Sequence, residues 1–247
     1  METIKPKWER IFKVHSYEVD IHKKLTIPWL CNYFQECAWE HAEHLDFGYT
    51  ALSAINKFWV LSRIHIEVEE YPLWGEEITV TTWPKGLDGM FAIRDYLVTA
   101  ADGRILAAAT TSWLILDTEK HRPQRIVLEE LVKFKLVDDN ALLHHAEKLP
   151  KPEQAVKIDD FRVKYSDIDI NHHVNNAKLV RWAIDGLPAN ALLNSQIKTF
   201  TINFIAESKL DDSIVLWRER EEDGAFLISL VNESGGKELC RVRIISS

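Results

Sequence analysis

The segment FKVHSYEVD, at Phe12–Asp20, recurs later in the chain as FRVKYSDID, at Phe161–Asp169. The two segments align without a gap at a constant offset of 149 residues. A second pair matches at another offset, with GEEITV at Gly75–Val80 over DDSIVL at Asp211–Leu216. Such self-similarity predicts two copies of one supersecondary unit, where two unrelated domains would leave the ungapped match unexplained.

The hydrophobic pattern of the first copy changes from strand to helix and back to strands. Phe12–Val19 is predicted to be a strand. Apolar residues spaced by three and four predict a long helix that starts at Thr26-Ile27-Pro28 and ends at Gly48. Alternation then predicts strands at residues 64–68, 78–80, 91–99 and 105–116.

The second copy repeats this order of elements. A strand is predicted at Phe161–Ser166 and a helix at Asn176–Leu187, with strands after it at residues 199–206, 214–219, 225–231 and 239–245. A charged, proline-containing connector, residues 126–155, separates the copies and carries a short amphipathic helix at Val127–Lys135. We therefore predict an α+β fold with domains at 1–125 and 156–247, each an antiparallel sheet wrapped around a central helix, paired as a pseudo-dimer within one chain.

Composition limits the cellular setting and the partners. The 247 residues include 30 Lys+Arg and 38 Asp+Glu, and this net charge of −8 argues against sequence-independent nucleic-acid binding. Three cysteines without a C-x-x-C motif indicate neither a disulfide framework nor a zinc ribbon. The first residues lack the apolar core of a signal peptide, and no apolar run approaches the ~20 residues of a membrane span. We expect a reduced, soluble, cytoplasmic protein without membrane insertion.

The most polar segment lies in the second copy, between its first predicted strand and its helix. There Asp169, Asn171 and His173 alternate, and an extended backbone would turn all three side chains to one side. The helix start behind them offers unpaired N–H groups that can stabilise a carbonyl oxygen as it gains negative charge. Asp20 occupies the position equivalent to Asp169, but His22 replaces Asn171 in the first copy.

The polar segment therefore predicts one active site per chain, in the second copy. The alternative is that Asp-x-Asn is only a turn and helix-cap cluster, for which these residues are well suited.

Other polar groups are weaker candidates. Phosphate-binding glycine motifs and a serine nucleophile elbow are missing from the sequence. Glu40, His41, Glu43 and His44 are interpreted as a partly exposed helix face, His144 and His145 as solvated connector residues, and Cys240 as a core residue. We predict neither a metal nor a cofactor.

The segment Asp169–Asn176, which reads Asp-x-Asn-x-His-Val-Asn-Asn, resembles the signature of acyl-ACP thioesterases, as do Lys178 and Trp182 after it. The likeness extends into the first half, through Trp59-Val60-Leu61-Ser62-Arg63, Tyr71-Pro72, Trp74-Gly75, Thr82-Trp83 and Trp113. The resemblance implies a double hotdog fold. It also implies hydrolysis of the thioester between a fatty acyl chain and acyl carrier protein (ACP).

The resemblance assigns catalysis to Asp169, Asn171, His173 and Glu207. Either Glu207 or Asp169 would be the general base. Plant members have a cysteine after the catalytic glutamate, whereas this chain has Ser208, so direct attack by water is expected.

Substrate contacts are predicted in both copies. Trp29 and Tyr33 would line an acyl-chain slot between the first helix and its sheet, and Asn175 and Asn176 would bind the substrate beside the catalytic groups. A basic patch would receive the acidic ACP, with candidates Lys178, Arg181, Arg218 and Arg220. The chain could also form a homodimer. The alternatives are an acyl-CoA thioesterase and a non-catalytic acyl-chain binder, while a hotdog dehydratase does not match the motif.

Overall fold

The computed structural model describes residues 4–119, 122–126 and 136–247. Contacts divide the chain into two compact units, Met1–Ala146 and Glu147–Ser247, and this division falls inside the predicted connector. The predicted helix at Val127–Lys135 lies outside the described residues. The domain limits at 125 and 156 stay predictions.

The first unit contains an antiparallel sheet in the order β1-β3-β4-β5-β2, with a short strand β6 beside β5. Its strands are β1 (Trp8–Lys13), β2 (Lys57–Val68), β3 (Glu77–Asp88), β4 (Phe91–Ala100), β5 (Ile105–Asp117) and β6 (Pro123–Gln124). Its helices are α1 (Ile27–His44) and α2 (Tyr49–Ser53). As predicted, α1 starts after Thr26 with Pro28 in its first turn. The apolar face of α1 packs on β3, and Phe34 contacts Tyr96 with ring centroids 4.5 Å apart.

The second unit repeats this arrangement in a sheet of order β8-β11-β10-β9-β7. Its strands are β7 (Val156–Arg162), β8 (Ile197–Phe204), β9 (Ser213–Arg220), β10 (Phe226–Asn232) and β11 (Lys237–Ser246). Helix α3 (Asn176–Asp185) packs on β10 and is followed by the short helix α4 (Ala189–Asn194). One long helix lying against an antiparallel sheet is the hotdog arrangement, and each unit has it. Among the described residues, no helix is both long and apolar enough to cross a membrane.

The strands at the start of each copy end earlier than predicted. The predicted strand Phe12–Val19 is wrong after Lys13, because the His15 N–H donates to the Glu18 carboxylate at 2.7 Å and the chain leaves the sheet. A side-chain acceptor that captures a nearby backbone N–H competes with ladder hydrogen bonds.

The same correction applies to Phe161–Ser166. Strand β7 ends at Arg162, and the Lys164 N–H donates to the Asp167 carboxylate at 2.9 Å. The repeated segment therefore encodes the exit from a strand, and the strand itself lies mostly before it.

Glycines were predicted to end both long helices, and the observed helix ends differ from this in part. Helix α1 ends at His44 and not at Gly48, because Gly48 instead precedes α2, which the sequence did not predict. Helix α3 ends at Asp185 with Gly186 as its C-cap, so Gly186 stops the helix as predicted, two residues before the predicted bound at Leu187. A Cβ atom at Gly186 would lie 2.6 Å from Cδ2 of the buried Leu216, so any other residue at this contact between helix end and sheet requires the Leu216 side chain to shift.

Candidate active site

The polar segment before α3 is a tight turn. Ile168 and Val174 form an antiparallel bridge, and the Asp169 N–H donates to the His173 carbonyl at 2.8 Å. His172 takes a positive φ of 63° to complete the reversal. The prediction of an extended segment with alternating side chains on one side is therefore wrong.

The tight turn before α3 is caused by a hydrogen bond from a backbone N–H to the Asp169 side chain. Oδ1 of Asp169 accepts the Asn171 N–H at 2.8 Å, which closes an Asx turn. The first unit has the same turn, since Asp20 accepts the His22 N–H at 2.8 Å and Lys23 also has a φ of 63°. The turn alternative for Asp-x-Asn therefore describes the backbone correctly, and the repeat extends to individual hydrogen bonds.

Helix α3 begins directly after this turn. The Asn175 carboxamide oxygen accepts the Ala177 N–H at 2.8 Å, so Asn175 is the N-cap and Asn176 is the first helical residue. Whether either residue also contacts substrate stays a prediction.

Two of the four predicted catalytic side chains meet directly. Nε2 of His173 lies 3.2 Å from Oε2 of Glu207, and both groups are open to solvent, with 28% of the imidazole and 59% of the carboxylate side chain exposed. The contact forms because the Val174 N–H donates to the Ser208 carbonyl at 2.9 Å, which holds the turn against the segment after β8. An imidazole and a carboxylate at this distance can orient a water molecule and take its proton.

The other two predicted catalytic residues are joined through the backbone. Asp169 accepts the Asn171 N–H as described, and the Asn171 side chain is exposed. The geometry thus gives Asp169 a positioning contact at the turn, while Glu207 contacts the imidazole.

The hydroxyl of Ser208 and the thiols of the three cysteines are all buried. Ser208 is 2% exposed, and its hydroxyl donates to Asp212 at 2.7 Å. Burial raises the pKa of the Cys31 and Cys37 thiols to about 12, so they stay protonated at neutral pH. Cys240 is fully buried, and its prediction as a core residue is confirmed.

The predicted acyl-chain contacts lie in the first unit. Tyr33 is buried, its ring stacks on Phe12 at 4.1 Å, and its hydroxyl donates to Glu18 at 2.5 Å. Burial, reinforced by that bond, raises the pKa of the Tyr33 phenol. Trp29 is half-buried beside Tyr17, with ring centroids 5.6 Å apart. A role of Trp29 and Tyr33 in acyl binding stays a prediction.

The histidines of α1 have protein partners. Glu40, Glu43 and His44 are partly exposed, as expected for this face, but His41 is fully buried, which corrects the expectation for that residue. Its Nε2 donates to the Lys5 carbonyl at 2.9 Å, and its Nδ1 accepts from Arg94 at 3.1 Å. Burial, and next the charge of Arg94, lower the pKa of His41 to about 3. The Glu40 carboxylate accepts hydrogen bonds from Trp8 and Arg10.

Sequence reasoning missed two positioning carboxylates. Glu18 and Asp167 stand at equivalent places in the two copies, and each accepts the N–H of the residue three positions before it. Asp167 also pairs with Lys178 at 3.1 Å. The offset of 149 residues, which aligns the two acids, was the available signal.

Two hotdog units in one chain, with a histidine–carboxylate pair at a helix start in the second unit, define a tandem hotdog protein. Two family models match it. The acyl-ACP thioesterase N-terminal domain matches residues 5–134, and the acyl-ACP thioesterase C-terminal domain matches residues 150–246. The chain belongs to the acyl-ACP thioesterase family.

Individual relatives agree with the family models. The chloroplastic oleoyl-acyl carrier protein thioesterase 2 of Arabidopsis thaliana is 28% identical over 221 residues, which cover 82% of this chain and 60% of the relative. The chain therefore spans about 60% of that protein's length. An acyl-ACP thioesterase from Bacteroides thetaiotaomicron is 26% identical with a TM-score of 0.87, and 98% of each chain is covered.

A second solved structure, the 12:0-ACP thioesterase from Umbellularia californica, has a TM-score of 0.88 at 26% identity, with 100% of this chain and 99% of that chain covered. The predicted family and the predicted double hotdog fold are confirmed.

Proposed function

We propose that the chain hydrolyses the thioester of fatty acyl-ACP and releases free fatty acid and ACP. The observation that carries the proposal is the 3.2 Å contact between His173 and Glu207 beside the start of α3. Family membership supports the substrate class, because the relatives named above are acyl-ACP thioesterases.

The reaction needs a base, a carbonyl activator and a proton for the leaving thiolate. Glu207 takes a proton from water while His173 orients it, and the new C–O bond forms as negative charge moves to the carbonyl oxygen. Asn171 and N–H groups at the helix start stabilise that oxygen. The C–S bond then breaks, and the proton held by the Glu207–His173 pair passes to the thiolate.

The contacts favour Glu207 over Asp169 as the base. Asp169 accepts the Asn171 N–H and maintains the turn, whereas Glu207 lies against the imidazole and reaches solvent. Direct attack by water agrees with the buried, hydrogen-bonded state of the Ser208 hydroxyl. Asp169 acts by holding Asn171 and His173 in place.

The acyl chain occupies the first unit, between α1 and its sheet. Trp29 and Tyr33 lie on this helix, so Trp29→Ala should shift the preferred chain length more than it changes kcat. A profile of released fatty acids that does not move would contradict this placement.

ACP docking uses exposed basic residues of the second unit. Lys178 is already paired with Asp167, and Arg218 donates to the Gly186 carbonyl at 2.6 Å, whereas Arg181 and Arg220 are exposed. Arg181→Glu should therefore raise KM for acyl-ACP and leave hydrolysis of an acyl-pantetheine unchanged.

The test is free fatty acid release from a panel of acyl-ACPs and from the matching acyl-CoAs. The proposal expects a higher kcat/KM with acyl-ACP, because the carrier protein adds a contact surface. Equal or better turnover of acyl-CoA would favour the acyl-CoA alternative, and acyl binding without product release would favour a non-catalytic binder.

Location and assembly are part of the same proposal. We propose a cytoplasmic enzyme whose hydrolysis reaction needs neither a nucleic-acid partner nor a cofactor. A homodimer would give a mass of twice 28.6 kDa by light scattering, and a monomer mass at micromolar concentration would contradict it.

A further inference from the structure

Three potential metal ligands meet in the first unit, far along the chain from the residues assigned above. His65 and Glu67 are alternate residues of β2 and share one face of the strand, and His144 comes from the segment that ends the unit. Nε2 of His65 lies 3.1 Å from Nε2 of His144 and 3.2 Å from Oε1 of Glu67. The remaining distance, from His144 Nε2 to Glu67 Oε1, is 3.6 Å.

Hydrogen bonds among the three groups account poorly for this convergence. A neutral imidazole nitrogen carries either a proton or a lone pair. Nε2 of His65 therefore cannot donate to Glu67 and at the same time accept from His144. A cation between the three atoms would take one lone pair from each and satisfy all three contacts.

The triangle of ligand atoms has the size of a tetrahedral zinc site. With Zn–N and Zn–O bonds of about 2.0–2.2 Å, ligand atoms in a tetrahedron lie about 3.3 Å apart. The observed sides are 3.1, 3.2 and 3.6 Å. The circle through the three atoms has a radius of about 1.9 Å, so a point exists at about 2.0 Å from all of them, which is the bond length that zinc requires.

The surroundings allow entry and hold the ligands in place. His65 is 9% exposed, but Glu67 and His144 side chains are 37% and 58% exposed, so an ion and a water ligand can reach the site from solvent. The segment that carries His144 is held on both sides. The Ala141 N–H donates to Asp95 at 2.9 Å, and the Ala146 carbonyl accepts from Arg63 at 3.3 Å.

We propose that His65, Glu67 and His144 bind one divalent transition-metal ion of the zinc class, with water as the fourth ligand. The bound ion joins the last segment of the first unit to strand β2 and stabilises this unit. His144 and His145 are both exposed, as expected, but only His144 also contacts His65, and His145 lies outside the ligand group.

The test uses tag-free, full-length protein treated with a chelator, and Zn²⁺ as the probe in calorimetric titration. The proposal predicts one ion per chain and a rise of Tm with Zn²⁺. His144→Ala and Glu67→Gln should each weaken binding at least about tenfold, since even groups that only orient ligands are worth 10–100-fold in affinity. His145→Ala is the matched control and should bind within about twofold of wild type.

Cobalt gives a second readout. Co²⁺ in the wild-type protein should show the strong visible bands of tetrahedral coordination, and His144→Ala should lose them. Wild-type protein that binds no Zn²⁺ would overturn the proposal, as would equal losses in His144→Ala and His145→Ala. These measurements report binding, so they are independent of whether the chain hydrolyses acyl-ACP.

Discussion

The two equivalent aspartates offer a comparison within one molecule. Asp20 and Asp169 close the same turn, and each accepts the N–H of the residue two positions later at 2.8 Å. Only the second turn leads to the His173–Glu207 pair. Asp20→Ala and Asp169→Ala should therefore have similar effects on folding and different effects on catalysis.

The hydrogen bonds set the size of the folding effect. A hydrogen bond to a charged group contributes about 1.5–3 kcal/mol, and the solvent around these turns reduces this to about 1–2 kcal/mol. For a chain of this length each kcal/mol lowers Tm by about 2–4 °C, so both variants should melt about 2–8 °C below wild type. Asp20 also accepts the Lys24 N–H at 3.0 Å, so its replacement should cost at least as much stability.

Catalysis should separate the two variants. Without the Asp169 carboxylate, Asn171 and His173 lose their fixed positions, and a displacement of about 1 Å at reacting groups costs on the order of 10²-fold in rate. Asp20→Ala should keep kcat within about twofold. The assay is steady-state release of fatty acid from acyl-ACP at a temperature where both variants are folded by circular dichroism. Equal loss of kcat in both variants, or full activity in Asp169→Ala, would refute the assignment.

Three further variants test other parts of the account. Ser208→Ala should keep kcat within about threefold while lowering Tm, because its buried hydroxyl makes a structural hydrogen bond, and a loss of about 10²-fold or more would support a covalent route. Gly186→Ala should lower the free energy of unfolding, measured in urea, by about 1–3 kcal/mol, because the new Cβ would overlap Leu216. An unchanged free energy of unfolding would show that Leu216 shifts without cost. Lys85→Met should lower the free energy of unfolding by about 3–5 kcal/mol, because it leaves the buried Asp95 carboxylate without the cation that lies 2.9 Å from it. A decrease below about 1 kcal/mol in urea unfolding would contradict this.

Periodicity and internal repetition predicted the fold well. The helical spacing after Thr26 gave α1, because its apolar face is long and packs on a sheet. The almost wholly apolar or small Ile105–Leu116 run gave β5, which is largely buried. The ungapped repeat predicted two equivalent units because acidic side chains at equivalent positions accept the same backbone hydrogen bonds in both copies.

Local hydrogen bonds between side chains and the backbone made the strand ends and the backbone of the polar segment hard to predict. The end of β1 after Lys13 depends on the Glu18 carboxylate capturing a nearby N–H, and this leaves no trace in hydrophobic periodicity. The Asx turn at Asp169 similarly replaced the expected extended segment. Alternation of polar residues alone does not distinguish a strand from a turn.

Contacts distant in the sequence were the least predictable part of the candidate sites. The motif selected His173 and Glu207, but their distance depends on a backbone hydrogen bond from Val174 to Ser208. The meeting of His65 and His144 depends on the path of a connector whose charged composition indicated only exposure. Such pairings follow from strand register and chain path, which composition does not specify.

The most direct test of the central proposal compares Glu207→Gln with Glu222→Gln, an exposed glutamate of the same unit, in hydrolysis of acyl-ACP. Because the Glu207 side chain is 59% exposed, its replacement should change unfolding free energy by less than about 1 kcal/mol. If Glu207 is the base, kcat/KM should fall by about 10²–10⁴-fold in Glu207→Gln and stay at the wild-type value in Glu222→Gln. A folded Glu207→Gln protein with wild-type kcat/KM would contradict the account.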